Sequence, residues 1–170
     1  QASKPFEELH LDVIGPITPL SYRKHRYILT IVDSNTRYCS ALPLTTKTEV
    51  SDQLTRLISL EAKRFGYYPS ILHSDRVTEF VNKSLDEFCH KNIIRQTFSD
   101  AHTPQQNSLA ERFNRTILAS LRKVLLDGKL PQYLWSEILG GCVLALNQIP
   151  AHKSKKSPYE LFRSASIPLD

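Results

Sequence analysis

Three acids of this sequence are candidates to do chemistry together: Asp12 in "HLDV", Asp75 in "HSDRVTEF" and Glu111 in "LAERFNR". Asp12 falls in an alternating apolar and polar run, "LHLDVIG", that reads as a strand ending at the turn Gly15-Pro16. Asp75 closes a second short strand pattern, "SILHS". Neighbouring strands can set these two aspartates side by side, and a helix packed on the sheet can deliver Glu111 to them. Converging carboxylates repel one another unless cations neutralise them. Hard oxygen donors of this kind suit Mg²⁺ or Mn²⁺. Two such ions about 3.5–4 Å apart stabilise the attacking and leaving oxygens of an in-line phosphoryl displacement.

The acid nearest to Asp75 in sequence is Glu79, four residues on, with Arg76 between them. A local job is expected for it, pairing with Arg76 or bonding the backbone. Asp33 reads as a turn aspartate, and His73 as a hydrogen-bonded strand residue rather than a ligand. Glu111 belongs to a helical pattern in which Asn107, Glu111, Arg115 and Arg122 share one stripe, at about 100° per residue. Ala110, Phe113, Ile117, Leu121 and Val124 share another and read as core. An exposed stripe with one acid and two guanidinium groups suits a metal ligand beside phosphate contacts. The bland alternative is an ordinary amphipathic helix with Glu111 and Arg115 as an i,i+4 pair. Gln105, Gln106 and Asn107 open this helix, where backbone N–H groups can also meet phosphate.

These side chains need positioning elements. "RYILTIVD" and "RYCSALPL" read as two strands of a hairpin joined at Ser34-Asn35-Thr36. Val50, Leu54, Leu57, Ile58 and Ala62 have helical spacing up to a stop at Gly66. "VNKSLDEFCHKN" reads as a short helix and "IIRQTFS" as a strand. A long helix starts at Thr103-Pro104 and breaks at Asp127-Gly128, and another spans Pro131 to Asn147 with Trp135 on its core side. Three strands, then strand–helix alternation, then long helices predict an α/β domain with a mixed sheet. Arg23 to Arg26 decorate a turn.

The 170 residues suit a single domain with its own core. With 41% apolar and 23% charged residues the chain is neither disordered nor fibrous. No apolar run approaches the roughly 20 residues that cross a bilayer, so no membrane partner is expected. Met is absent even at position 1, which suggests a piece of a longer polypeptide. Cys39, Cys89 and Cys142 are widely spaced and suit a reducing compartment and a place in the core. The sequons at Asn82 and Asn114 are then accidental. Residues 1–100 carry 13 Lys/Arg against 12 Asp/Glu and residues 101–170 carry 9 against 5, so the basic excess lies in the second part. Nucleic acid is the common partner of such a face. No GxSxG elbow, GxxxxGK[ST] loop, HExxH or zinc-ligand spacing is present.

Taken together, "HSDRVTEF", the 35 residues between Asp75 and Glu111, and "TPQQNSLAERFNRTI" resemble the integrase catalytic core of copia-type LTR retrotransposons. "HLDVIGPI", "YILTIVDSNTRY", "LPQYLWSEIL" and "KKSPYELF" extend the resemblance over nearly the whole chain. It implies a ribonuclease H-like fold, a five-stranded mixed sheet flanked by helices, with Asp12, Asp75 and Glu111 as the DDE triad of a polynucleotidyl transferase. It further implies two Mg²⁺ or Mn²⁺ ions on those acids, Asp12 bridging both. Water would attack near the 3′ ends of the element's DNA, and the resulting 3′-OH would attack host DNA. DNA contacts are expected from Gln105, Gln106, Asn107, Arg115 and Arg122. The resemblance also implies a homo-oligomer, dimeric or higher, on two DNA ends, working in the host nucleus after cytoplasmic assembly. Residues 1–170 would be the core of a polyprotein, without the zinc-binding region that precedes it or the variable region that follows and engages host targeting factors.

Two residues depart from the family pattern: Val77 and Ser108 stand where Gly is usual. Gly serves where φ is positive or where backbone and ligand approach closely, and a β-branched Val suits neither. An impaired core acting as an assembly or DNA-binding module is therefore one alternative. A nuclease on the same fold is another.

Overall fold

The computed structural model describes residues 2–99, 108–150 and 153–164. Five strands form one sheet in the order β3-β2-β1-β4-β5: β1 Glu8–Ile14, β2 Tyr27–Asp33, β3 Cys39–Leu44, β4 Ile71–Asp75 and β5 Arg95–Ser99. The first three pair antiparallel, β1 to β2 through the longer connection 15–26 and β2 to β3 through the short turn 34–38. β4 joins β1 parallel and β5 joins β4 parallel, each after a helical crossover. The sheet is the mixed one expected.

Alternation along the strands divides the core into two layers. Leu9, Leu11, Leu29 and Ile31 turn to one face, where α1 (Val50–Phe65) and α2 (Lys83–Lys91) pack through Val50, Leu54, Ile58, Leu85 and Cys89. Ile28 and Val32 turn to the other, under α3 (Ser108–Asp127) and α4 (Trp135–Asn147), which contribute Ile117, Leu121, Leu125, Trp135, Leu139 and Cys142. α1 ends at Gly66 in the left-handed conformation, φ 80°, the stop expected there. Gly15, after β1, has φ 131°, and a Cβ there would stand 2.6 Å from the Tyr27 ring. Only glycine fits that turn.

The helix patterns hold with two revisions: the helix expected from Pro131 starts at Trp135, after a 3-10 turn at Gln132–Leu134, and the core stripe of α3 shifts. The buried stripe of α3 is Ala110, Ile117, Leu121 and Leu125, whereas Val124 is exposed. At 3.6 residues per turn the stripe drifts over five turns, so the last core position moves one residue on. The expected start at Thr103-Pro104 lies outside the described residues. Trp135 is buried and donates its indole N–H to the Pro19 carbonyl at 2.9 Å. The three cysteines are free and buried. Among the described residues no helix is long and apolar enough to cross a membrane.

The segment "KKSPYELF" forms α5 (Pro158–Arg163), opened by a capping box between Ser157 and Glu160. Phe162 stacks flat on Tyr38 at 4.2 Å, and Arg163 grips the buried Glu61 of α1 with two bonds of 2.6 and 2.8 Å. The bidentate grip desolvates both charges, and without Arg163 the carboxylate of Glu61 keeps only the longer, more exposed bond from Arg64 at 3.3 Å. Arg163→Ala is expected to lower unfolding free energy in urea by about 2–3 kcal/mol, below the fully buried case because Arg163 keeps some water contact. Arg163→Lys recovers only part of it, since an ammonium cannot bridge both carboxylate oxygens.

Candidate active site

The parallel register of β1 with β4 decides where the acids meet. His10 stands opposite His73, so two residues further along each strand Asp12 and Asp75 come level on the same face of the sheet. That face is the one α3 covers, and Glu111 sits in the first turn of α3. The charges of Asp75 and Glu111 both act on Asp12, which places each of them within electrostatic reach of it. Burial first, then these two like charges, push the Asp12 carboxyl up to about 6. Hydrogen bonds from the Val13 N–H and the Asn114 amide oppose that rise.

Asn114 is the residue that sequence reasoning missed. It lies three positions after Glu111, half-buried, and its Nδ2 donates to Asp12 Oδ2 at 2.6 Å. Its Oδ1 in turn accepts the hydroxyl of Thr30 at 2.7 Å. Thr30 is fully buried and stands opposite Asp12 in the β1–β2 register. A relay from β2 through α3 thus fixes the rotamer of Asp12. Asn114 was dismissed above as an accidental sequon; the only signal for it was its i+3 place beside Glu111 on the helix.

The neighbouring polar groups have local partners. His73 bonds Thr97 Oγ1 at 2.6 Å and Ser99 Oγ at 3.2 Å, as expected of a bonded strand residue. His10 packs on it, ring centroids 5.1 Å apart, and burial holds His10 below the usual histidine range. Asp33 accepts from Phe6 N–H, Thr36 N–H and the Thr36 hydroxyl, a turn role. Glu79 pairs with Lys47 at 3.2 Å rather than with Arg76, which lies over the Phe98 ring at 4.8 Å. Arg115 and Arg122 are exposed on α3 with Glu111. Gln105, Gln106 and Asn107 lie outside the described residues.

Among the described residues no cation pairs with Asp12, Asp75 or Glu111, and no three His, Cys, Asp or Glu side chains stand close enough together to enclose an ion. Uncompensated carboxylates hold apart for electrostatic reasons. The donor set is nonetheless all-oxygen, anionic and partly buried, which fits a hard divalent cation. Val77 is not among the non-glycine residues with positive φ, and it is 41% exposed. Its side chain therefore fits this backbone without strain. Ser108 is the exposed first residue of α3.

A raised acid has a definite linkage sign. Unfolded Asp12 loses its proton near pH ~4 and the folded group near pH 6, so between them the folded state binds the extra proton. Its contribution to stability therefore falls as pH rises through that window. In metal-free buffer Asp12→Asn is expected to melt above the parent at pH 7.5, with the gap closing toward pH 4, read by calorimetry.

Comparisons with known proteins bear on the family and the fold. A family model, the integrase core domain, matches residues 2–104. The Ty1-DR6 and Ty1-DR4 Gag-Pol polyproteins of Saccharomyces cerevisiae are each 30% identical over 156 residues, 91% of this chain. The chain spans only about a tenth of those relatives, 9% and 10% of their length. Among solved structures, a trimeric form of the HTLV-2 integrase catalytic core domain in complex with magnesium superposes with TM-score 0.71 at 21% identity, covering 95% of this chain and 99% of that one. The simian T-cell lymphotropic virus intasome in complex with PP2A regulatory subunit B56 gamma gives 0.78 at 20% identity, covering 99% of this chain and 58% of that one. These two likenesses speak for the fold, a ribonuclease H-like one. With its mixed sheet, the three acids at one end of it and a family match over more than half its length, the chain belongs to the integrase core domain family, as the catalytic core of an LTR retrotransposon integrase whose Ty1 likeness fits the copia type.

Proposed function

We propose that this core processes the 3′ ends of retrotransposon DNA and joins them to host DNA, with Asp12, Asp75 and Glu111 as its catalytic acids. The observation that carries this reading is the Asp12 carboxylate, pushed up to about 6 beside two further acids, with no cation among the described residues paired to them. Asp12, Asp75 and Glu111 would hold Mg²⁺ or Mn²⁺, two ions in the DNA complex. Such ions supply a lowered pKa for the attacking water or 3′-OH and charge neutralisation at the leaving oxygen. The chain itself orients the site. Asn114 holds Asp12 in one rotamer, and Arg115 and Arg122 offer guanidinium groups to phosphates along α3. In-line displacement needs both strand ends of β1 and β4 held level, which the parallel pairing does.

The working unit is proposed to be a homo-oligomer on two DNA ends and a target duplex. The HTLV-2 core has dimeric and trimeric forms and the simian viral protein an intasome, which supports that reading. Nuclear action after cytoplasmic assembly, and recruitment by a host factor, belong to the same proposal.

A strand-transfer assay of the full-length integrase on its own DNA ends with Mg²⁺ or Mn²⁺ tests it. Asp75→Asn is expected to lower product at least 100-fold, roughly the loss of a metal-held transition state; activity that survives it overturns the acid assignment. Because Val77 carries no backbone strain, Val77→Gly is expected to leave the rate within about threefold. Arg115→Ala and Arg122→Ala should each reduce the slope of log affinity against log salt for DNA by about 1.

A further inference from the structure

The loop between Asp75 and α2 is tied down by polar groups that the chemistry above does not use. After Asp75 the chain turns on itself: Val77 N–H bonds the Asp75 carbonyl at 2.9 Å, and Phe80 and Val81 N–H bond the Val77 carbonyl at 3.0 and 2.9 Å. Phe80 is the loop's one apolar anchor, fully buried, with its carbonyl taking the Gln96 amide at 3.1 Å. Val77 and Val81 face outward. Between the loop and the start of α1 runs a cleft of about 460 Å³ lined by Lys47, Ser51, Thr78, Glu79 and Asn82 among others. Phe80 joins the core cluster that α1 also feeds, and around that single anchor polar bonds span the cleft.

Asn82 is the hub of those bonds. Its Oδ1 caps α2 by accepting Leu85 N–H at 2.9 Å and also accepts the Ser51 hydroxyl of α1 at 3.1 Å. Its Nδ2 donates to the Glu79 carbonyl at 3.0 Å and the Thr78 carbonyl at 3.4 Å. The Glu79 carboxylate crosses to Lys47 just before α1. One end of Asn82 thus serves the helix, the other serves the loop. Glu79, four residues from Asp75, has its charge met by Lys47 rather than left to add to the acid set.

We propose that Asn82, with the Lys47–Glu79 pair, is the positioning device for Asp75, clamping its loop to α1 and so fixing where that carboxylate stands relative to Asp12. The proposal rests on the reading of Asp75 as a metal-holding acid. A side chain that orients a ligand at one remove changes metal affinity by about 10–100-fold when lost.

Asn82→Ser separates the clamp from the cap, because a serine hydroxyl still caps α2 but cannot donate to both loop carbonyls. In the full-length protein the melting temperature should stay within about 2 °C of the parent. Amide exchange at Val77, Phe80 and Val81 should accelerate about tenfold. The dissociation constant for Mn²⁺, read by electron paramagnetic resonance, should rise about tenfold. Lys47→Met should weaken Mn²⁺ in the same way and Lys47→Arg should restore it. Unchanged exchange in Asn82→Ser, or faster exchange with unchanged Mn²⁺ affinity, overturns the proposal. Asp75→Asn run alongside tells the two failures apart: if it too leaves Mn²⁺ affinity unaltered, the acid assignment has failed and the clamp's role falls with it.

Discussion

Like charges brought together on a partly dry surface are the constraint around which this domain is arranged. Asp12 cannot ionise freely where it stands, because burial and two neighbouring acids oppose its charge. The fold tolerates this at one end of the sheet and spends its apolar residues elsewhere. On β1 the positions facing α1 are Leu9 and Leu11, whereas the α3-facing positions Glu8, His10 and Asp12 are polar. The core is thus complete on one face and interrupted on the other, where the site lies.

The interruption is managed by short polar relays rather than by ion pairs. Thr30, Asn114 and Asp12 form a chain of two bonds across three elements, each end satisfied. Asn82 does similar work for the loop beside Asp75. Amide side chains suit the task because each carries a donor and an acceptor and adds no charge to a site already overcharged. A lysine or arginine in either place would neutralise the acids and occupy the room of a cation.

Much of the architecture was legible in the sequence. Period-two runs gave the strands, period-3.6 runs the helices, and Gly66 marked a stop in both readings. The three acids were legible as types at a spacing. Asn82 and Asn114 were not: each stood in a sequon, and their value comes from partners 31 and 102 residues away, Ser51 and Asp12. The partner of Glu79 was also misjudged, since Lys47 is distant in sequence while Arg76 is only three residues away. Val77 read as a defect because the family pattern has glycine there, and only the backbone angle showed that no positive φ is required.

By itself, then, the amino-acid order determined the elements, which follow from local periodicity, and offered the three acids as candidates through their side-chain type and their place in the family's motifs. The tertiary structure decided the rest. Strand order and the His10–His73 register put Asp12 level with Asp75, and the packing of α3 brought Asn114 onto Asp12. Register and helix placement are set by burial summed over the whole domain, a quantity no short stretch of sequence contains.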